Sequence, residues 1–328
     1  MEVVQKGWSV KKIRNTVIIL FLLIATLFTY LFYANKDFTG ILFNNLPIAA
    51  GKPSFLFSVY GSGINGGLKK PMGVTMVNNK IFITDTMNKR VQIFDYSGNY
   101  LGLFGKEGKG DGQFEFPYGI VGDGKGQLYI ADLLNDKIGI YDEKGKFLRN
   151  FSGSKDLKKP GGITIAGGKL YVADIADCKI KIFDLSSGKK LMDVGKPGDK
   201  KGELKSPNYV AVYGGKIYVS DSGNERVAIF DDKTGKFIDF LKSFDSKGVS
   251  KFTNPRGIGV DGRGTIFVVS NITNKVFGYD TSGKELFGWG GMGQDDDKFA
   301  LPNGLFIDNN GRIYITDTVN QRVVVYQN

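Results

Sequence analysis

A short proline–glycine motif recurs six times along the chain, and its spacing constrains the fold more than any other feature. The pattern P-x-G-[IV], with a leucine variant in the last copy and a weaker form, PNYV, in the fourth, begins at Pro71, Pro117, Pro160, Pro207, Pro255 and Pro302. Successive prolines lie 43 to 48 residues apart. An internal period of this length indicates one supersecondary unit per repeat, each packed against its neighbours.

Each repeat contains the signals of four short strands. Roughly ten residues after the motif comes an apolar run such as IFITD at 81–85 or LYVAD at 170–174. A polar turn with a basic residue, a second run and a glycine turn follow, as in NKRVQIFD and then YLGLFG. Runs that are apolar at nearly every position indicate strands buried between stacked sheets. Four strands in about 45 residues, repeated radially, predict a β-propeller.

The two ends of the repeat array complement each other. The sixth repeat lacks the fourth strand, whereas a matching strand, SFLFSVYG at 54–61, precedes the first repeat. This N-terminal strand is predicted to complete the last blade, which closes the ring and removes an exposed sheet edge. The predicted fold is therefore all-β, a six-bladed β-propeller with four-stranded blades over residues 54–328, preceded by one transmembrane helix.

The repeat resembles that of the NHL family, which follows P-x-G-I with [IV]-[YF]-V-[AST]-D-x-x-N-x-[RK]-[IV]-x-[VI]-F and then a glycine turn. Five of the six P-x-G motifs and five of the six strand-end aspartates fit it, and the resemblance covers essentially everything after residue 54. It implies a six-bladed propeller. It constrains function loosely, because the family includes RNA-binding, protein-binding and sensor proteins and a few lyases.

The N-terminal residues predict a membrane anchor. Residues 16–34, TVIILFLLIATLFTYLFYA, carry no charge, and a helix of this length spans roughly 28 Å, close to the hydrocarbon core of a bilayer. Four basic residues precede it and favour a cytoplasmic N-terminus. We predict a cytoplasmic tail at 1–15, a transmembrane signal-anchor helix at 16–34, a tether at 35–53 and an extracytoplasmic propeller, periplasmic or on the cell surface. A cleaved signal peptide is the alternative, which the length of the stretch disfavours.

Composition excludes most catalytic chemistry. The chain has no histidine and one cysteine, Cys178. Ser-His-Asp and Cys-His arrangements, histidine general bases, histidine-ligated metals, Cys-rich metal sites and intramolecular disulfides are therefore excluded. An enzyme on this chain would depend on carboxylates, lysine, tyrosine, serine or a metal held by oxygen. We predict no catalytic residue, no metal ligand and no cofactor.

Two recurring sets of polar residues are expected to be structural. An aspartate ends the second strand of five repeats and is expected to accept backbone N–H bonds of the following turn: Asp85, Asp132, Asp174, Asp221 and Asp317. A basic residue follows the turn in all six repeats: Arg90, Lys137, Lys179, Arg226, Lys275 and Arg322. These basic side chains either cover the flank of a neighbouring blade or form a basic ring on one face.

The candidate ligand site consists of the variable x of P-x-G and of departures from the repeat. Because the strand after P-x-G is the innermost, the x residues are predicted to lie near the central opening, where aromatic, amide and guanidinium groups suit a binding mouth. Tyr209 replaces the glycine of one motif, Ser270 replaces a strand-end aspartate, and Arg256 is the only charged x residue. The candidate ligand-binding residues are Met72, Tyr118, Asn208, Tyr209, Arg256, Ser270 and Asn303.

These features predict a membrane-anchored, extracytoplasmic binding, scaffold or sensor propeller that recognises a protein, glycan or small ligand. One alternative is a Ca²⁺-dependent hydrolase or lyase of the six-bladed type, with the ion held by Asn208, Asn303 and carboxylates. The other alternative is a nucleic-acid-binding NHL domain, which the formal charge of +11 would suit. The predicted topology disfavours nucleic acid, so we expect no such partner.

Overall fold

The computed structural model describes residues 51–241 and 250–328. The predicted tail, the anchor at 16–34 and nearly all of the tether lie outside this part of the chain. Its helices are three short 3₁₀ segments, Thr86–Asn88, Ser152–Asp156 and Ser222–Asn224. No helix within the described ranges has the length and apolar character needed to cross a bilayer.

The described chain forms 24 strands in six antiparallel sheets of four strands each. The N-terminal strand is β1 (Ser54–Val59). Blade 1 contains β2 (Val74–Val77), β3 (Lys80–Asp85), β4 (Arg90–Asp95) and β5 (Tyr100–Phe104). Blade 2 contains β6 (Pro117–Gly122), β7 (Gln127–Asp132), β8 (Lys137–Asp142) and β9 (Phe147–Asn150). Blade 3 contains β10 (Pro160–Ala166), β11 (Lys169–Asp174), β12 (Lys179–Asp184) and β13 (Lys190–Val194).

The second half of the ring repeats the same arrangement. Blade 4 contains β14 (Pro207–Tyr213), β15 (Lys216–Asp221), β16 (Arg226–Asp231) and β17 (Phe237–Phe240). Blade 5 contains β18 (Pro255–Val260), β19 (Ile266–Ser270), β20 (Lys275–Tyr279) and β21 (Glu285–Gly290). Blade 6 contains β22 (Pro302–Ile307), β23 (Arg312–Asp317) and β24 (Arg322–Gln327), and β1 is its fourth strand. The predicted six-bladed, all-β fold with four-stranded blades is confirmed.

Ring closure occurs in blade 6. Strand β1 pairs antiparallel with β24, from Ser54 opposite Gln327 to Val59 opposite Val323. One register shift interrupts this pairing between Phe55 and Phe57. The N-terminal strand therefore completes the last blade, as the sequence predicts, and the outer edge of β24 is paired.

The hydrophobic core lies between adjacent blades. Phe82 and Val91 of blade 1 belong to the same buried cluster as Leu128 and Ile130 of blade 2. Blades 5 and 6 share an equivalent cluster. The second strands are buried almost throughout because both of their faces are covered by neighbouring sheets, which explains why their sequences are continuously apolar.

Candidate functional site

The two faces of the ring differ in their connections. One face carries the loops that lead from an outer strand to the next inner strand, together with the turns between second and third strands. We call it the loop face. The opposite face carries the turns between first and second and between third and fourth strands, and we call it the turn face. Each P-x-G motif begins an inner strand, so all six motifs lie at the loop face.

The P-x-G residues are freed from regular pairing. In blades 2 to 6 the register of the inner strand shifts between the proline and the third residue after it, as between Pro117 and Ile120. The glycine is required because the next blade is close: a Cβ on Gly119 would lie 2.4 Å from the backbone oxygen of Gly161, and one on Gly304 would lie 2.2 Å from that of Met72. The irregular register therefore places the x residues at the centre of the ring.

The central channel is closed towards the loop face. The inner strands are buried at their proline ends and become partly exposed towards the turn face, as in β6, β10, β14 and β22. A cavity of about 250 Å³ occupies the channel, and aliphatic side chains such as Val121, Ile165 and Val260 line it. Tyr209 also lines this cavity. The channel is thus accessible at its turn-face end.

Six of the seven predicted site residues meet where the channel closes. We call this group the plug, and its members come from five blades: Met72, Tyr118, Asn208, Tyr209, Arg256 and Asn303. Four of them are almost fully buried, with exposed fractions of 4% for Tyr118 and Asn208, 5% for Asn303 and 7% for Tyr209. Met72 and Arg256 are half-buried. The predicted mouth of the channel is therefore filled by these side chains.

The hydroxyl of Tyr118 is the centre of the polar contacts in the plug. It donates to Oδ1 of Asn208 and lies 3.1 Å from Oδ1 of Asn303. Nη1 of Arg256 donates to the same hydroxyl oxygen over 3.2 Å. Because a phenol carries one proton, Tyr118 can donate to only one of the two asparagines at a time.

Tyr209 spans the channel because it stands where the other motifs have glycine. Its hydroxyl donates to the backbone oxygen of Met72, on the opposite side of the ring, over 2.8 Å. Its ring centre lies 5.7 Å from that of Tyr118, and its ring covers Gly162 of the preceding blade, where a Cβ would lie 2.3 Å from the ring. The one departure from P-x-G thus supplies the bulk that closes the channel.

Burial determines the charge of the plug. Desolvation raises the pKa of Tyr118, although the charge of Arg256 acts in the opposite direction. Desolvation likewise raises the pKa of Tyr209 well above its ordinary value. Both phenols are therefore neutral at physiological pH, and Arg256 supplies the only formal charge in the plug.

Ser270 lies apart from the plug and takes the place of a strand-end aspartate. It is fully buried, and its hydroxyl oxygen accepts from the backbone N–H of Thr253 over 3.0 Å and from the hydroxyl of Thr273 over 2.7 Å. In blade 6 the backbone N–H of Ala300 makes the equivalent contact to Asp317. Ser270 therefore keeps the hydrogen bond to the backbone of the entering loop but lacks the charge of the aspartate that it replaces. Its role as a ligand residue stays a prediction.

The strand-end aspartates attach the loops that enter each blade. Each accepts a backbone N–H from a residue just before the motif proline, as Asp85 does from Lys69 over 2.6 Å and Asp221 from Lys205 over 2.6 Å. Asp132 and Asp174 additionally accept backbone N–H bonds from the turns that follow them, which is the contact that the sequence predicts. The bond to the entering loop is formed by a segment about sixteen residues earlier in the chain, so the local pattern did not reveal it.

Several of the basic residues strengthen the same attachment. Arg322 pairs with Asp317 over 2.8 Å and donates to the backbone oxygens of Asp295 and Lys298. Arg90 and Arg226 make equivalent contacts, and Lys137 binds loop carbonyls alone. These side chains therefore bind the loops, a role that neither of the two predicted alternatives describes.

Sequence reasoning missed a set of exposed apolar side chains on the loop face. Each is the second residue after a second strand, or the residue before a motif proline, and is between 39% and 53% exposed: Met87, Leu134, Ile272, Leu301 and Val319. We call them the apolar rim. An alignment of the six turns would have revealed the rim. The position is large and apolar in blades 1, 2, 5 and 6, whereas blades 3 and 4 have the small residues Ala176 and Gly223 there.

Within residues 51–241 and 250–328, no three acidic or cysteine side chains lie close enough together to form a metal site. The side-chain oxygens of Asn208 and Asn303, which the Ca²⁺ alternative invokes, both face the hydroxyl of Tyr118.

Six four-stranded blades, closed by an N-terminal strand, define a six-bladed β-propeller protein. More specifically, the chain belongs to the family described as 6-bladed beta-propeller, whose model matches residues 67–152 and 199–285, together more than half of the chain. The NHL repeat model matches residues 299–326, so the resemblance to NHL repeats is confirmed. No curated protein matches the chain.

Solved structures with the same fold have diverse descriptions. A protein of unknown function from Bacteroides thetaiotaomicron is 15% identical, with a TM-score of 0.64 over 84% of this chain and 73% of that one. A chain of a nidogen/laminin complex matches at 16% identity and a TM-score of 0.56, and the match covers 67% of this chain and 80% of that one. A catalytically inactive histidine-to-alanine variant of virginiamycin B lyase from Staphylococcus aureus, with quinupristin, is 16% identical and has a TM-score of 0.55. That match covers 79% of this chain and 85% of the lyase chain. At these identities the likeness shows the fold alone.

Proposed function

We propose that the chain is a binding propeller that recognises a macromolecular partner on its loop face, around the plug. The predicted helix at 16–34 anchors it in the membrane and places the propeller outside the cytoplasm. The observation that carries this proposal is the plug itself. Because buried side chains from five blades fill the loop-face end of the channel, the described residues leave no open pocket for a small substrate at that end, and a partner that covers the surrounding surface suits it better.

The composition favours binding over lyase chemistry. The virginiamycin B lyase variant that is described as catalytically inactive has alanine in place of a histidine. The present chain contains no histidine. A lyase mechanism of that kind therefore finds no counterpart here. Stoichiometric Ca²⁺ retained by the purified full-length chain would instead favour the Ca²⁺-dependent hydrolase or lyase alternative.

Site-specific photo-crosslinking in membranes tests the proposed face. A photoreactive residue at Val319, exposed on the loop face, is expected to capture a partner, whereas one at Lys125, exposed on the turn face, is expected not to. Identical products from both positions, or none from Val319, would contradict the proposal. A reporter that is active only outside the cytoplasm, fused after Asn328, tests the topology, and an inactive fusion would argue against it.

A further inference from the structure

The plug contains more hydrogen-bond donors than it uses. Nε of Arg256 is buried and has no hydrogen-bond partner within residues 51–241 and 250–328. In that part of the chain the guanidinium makes one hydrogen bond, to the neutral hydroxyl of Tyr118, and no ion pair. By contrast, Arg90, Arg226 and Arg322 each pair with an aspartate. A guanidinium has five N–H donors, and burying its charge without a counter-ion is costly.

The two asparagines of the plug add further donors. Both are at least nine-tenths buried, and both direct their side-chain oxygen at Tyr118. The side-chain amide nitrogens of Asn208 and Asn303 make no hydrogen bond to the described residues. Blades 4, 5 and 6 thus each contribute a side chain with unused N–H groups to the plug, and one of these side chains carries a positive charge. This arrangement suits a planar anion with two oxygens, since the guanidinium fork binds carboxylates in bidentate fashion.

Access to these donors is from the loop face. The channel cavity is lined by Tyr209 but not by Arg256, Asn208 or Asn303. Arg256 is nevertheless partly exposed, and it follows the motif proline at the loop-face end of β18, which we take to be the side of its exposed surface. A group that approaches the guanidinium therefore arrives from the side on which the partner is proposed to bind.

The surroundings of the plug indicate which molecule carries the anion. The apolar rim lies in blades 1, 2, 5 and 6, and exposed lysines precede the motif prolines of blades 1, 3 and 4: Lys69, Lys70, Lys159 and Lys205. Two carboxylates near these lysines are already occupied, because Asp177 pairs with Lys158 and Asp136 accepts the backbone N–H of Lys159. A segment with both acidic and apolar side chains matches this surface.

We propose that the plug is a carboxylate-binding site for an acidic, partly apolar segment of a partner protein. One carboxylate binds Arg256 with the amides of Asn208 and Asn303, and apolar side chains of the same segment pack on the apolar rim. This inference rests on the proposed function and names the chemistry of its partner.

Acetate tests the site without knowledge of the partner. The full-length chain in detergent, with ¹⁵N-labelled arginine and asparagine, is titrated with sodium acetate against sodium chloride at constant ionic strength. The Nε–H resonance of Arg256 and the side-chain amide resonances of Asn208 and Asn303 are expected to shift and saturate. Arg256→Lys and Arg256→Gln are expected to weaken binding by about tenfold or more, and the exposed Arg149→Gln serves as a control that leaves it unchanged.

Three results would overturn the site. The first is the absence of a saturable shift in the wild-type chain, which does not depend on the folding of any variant. The second is an equal response to chloride. The third is tighter binding of phosphate or sulfate than of acetate, which would indicate a different oxyanion.

Crosslinking from Val319 tests the source of the carboxylate. The crosslinked product is expected to contain an acidic protein segment, to decrease with acetate and to decrease in Arg256→Lys. A lipid or polysaccharide adduct would overturn the assignment to protein. If the product is the same in the wild type and in Arg256→Lys, the proposed loop-face function survives and the carboxylate inference fails. If acetate binds but Val319 captures nothing, the site survives and the proposed function fails.

Discussion

Tyr209 shows how one side chain can change the use of a repeated scaffold. The other five motifs keep glycine because the neighbouring backbone leaves little room for a Cβ. At Tyr209 the chain instead directs an aromatic ring across the channel to the backbone oxygen of Met72. The departure from the repeat is thus compensated by burial of a large ring and by a hydrogen bond between opposite blades.

Replacing Tyr209 by the consensus glycine is expected to destabilise the protein. Tyr209→Gly removes a ring that is 7% exposed and opens a void, so the free energy of unfolding should fall by about 3–5 kcal/mol. Tyr209→Phe keeps the ring and loses one hydrogen bond, which should cost about 1 kcal/mol. Denaturant unfolding of both variants measures the difference. A glycine variant as stable as the wild type would show that the buried Tyr209 ring does not stabilise the fold more than the glycine of the repeat does.

At the level of strands and turns, the attachment of each entering loop to a strand-end aspartate is the recurring stabilising unit. Asp317→Ala removes a buried carboxylate and leaves Arg322 buried without its partner. Stability should fall by about 3–5 kcal/mol. Ser270→Ala, at the matching uncharged position of blade 5, should cost only about 1 kcal/mol. Equal losses in the two variants, measured by denaturant unfolding, would argue against a special role for the ion pair.

The turns between third and fourth strands predict an acid-dependent loss of stability. The side-chain and backbone hydrogen bonds from Ser187 lower the pKa of Asp184 to about 2, and similar bonds lower the pKa values of Asp95 and Asp231. Because the folded-state pKa lies below the unfolded value of about 3.9, these bonds contribute fully above pH 4 and are lost as the pH falls towards 2. Thermal unfolding midpoints should decline over this window.

Substitution isolates the turn contribution. Asn at positions 95, 184 and 231 keeps the turn geometry and removes the titration. The triple variant should show a shallower decline of the unfolding midpoint between pH 4 and pH 2 than the wild type. An unchanged slope would assign the acid sensitivity to other carboxylates.

The blades were predictable from sequence because their signals are local. An apolar run, an Asp or Asn turn and a glycine turn fall within one repeat, and six repetitions made the strand order clear. The position of the x residues near the axis also followed from strand order. Burial of Tyr118 and Tyr209 did not, because it depends on contacts across the ring between residues such as Tyr209 and Met72, 137 positions apart.

For the whole molecule, the pairing of β1 with β24 holds the ring closed. A disulfide between Ser54→Cys and Gln327→Cys, which face each other in the register, should stabilise the fold by about 2–4 kcal/mol, because it lowers the conformational entropy of the unfolded chain. The native thiol, Cys178, is replaced by serine in this variant and in its matched control without the new pair. Unfolding with and without reductant measures the effect, and equal stabilities would show that linking the two ends of the ring does not stabilise the fold.

The same pairing has a mechanical consequence. Blade 6 is assembled from the first and last strands of the described propeller, and β1 is the strand that follows the proposed anchor most closely in the sequence. A partner that pulls on the loop face, against an anchor in the membrane, would transmit tension along the chain into β1. The hydrogen bonds between β1 and β24 would then bear this force first, so blade 6 should yield under load before the other five blades.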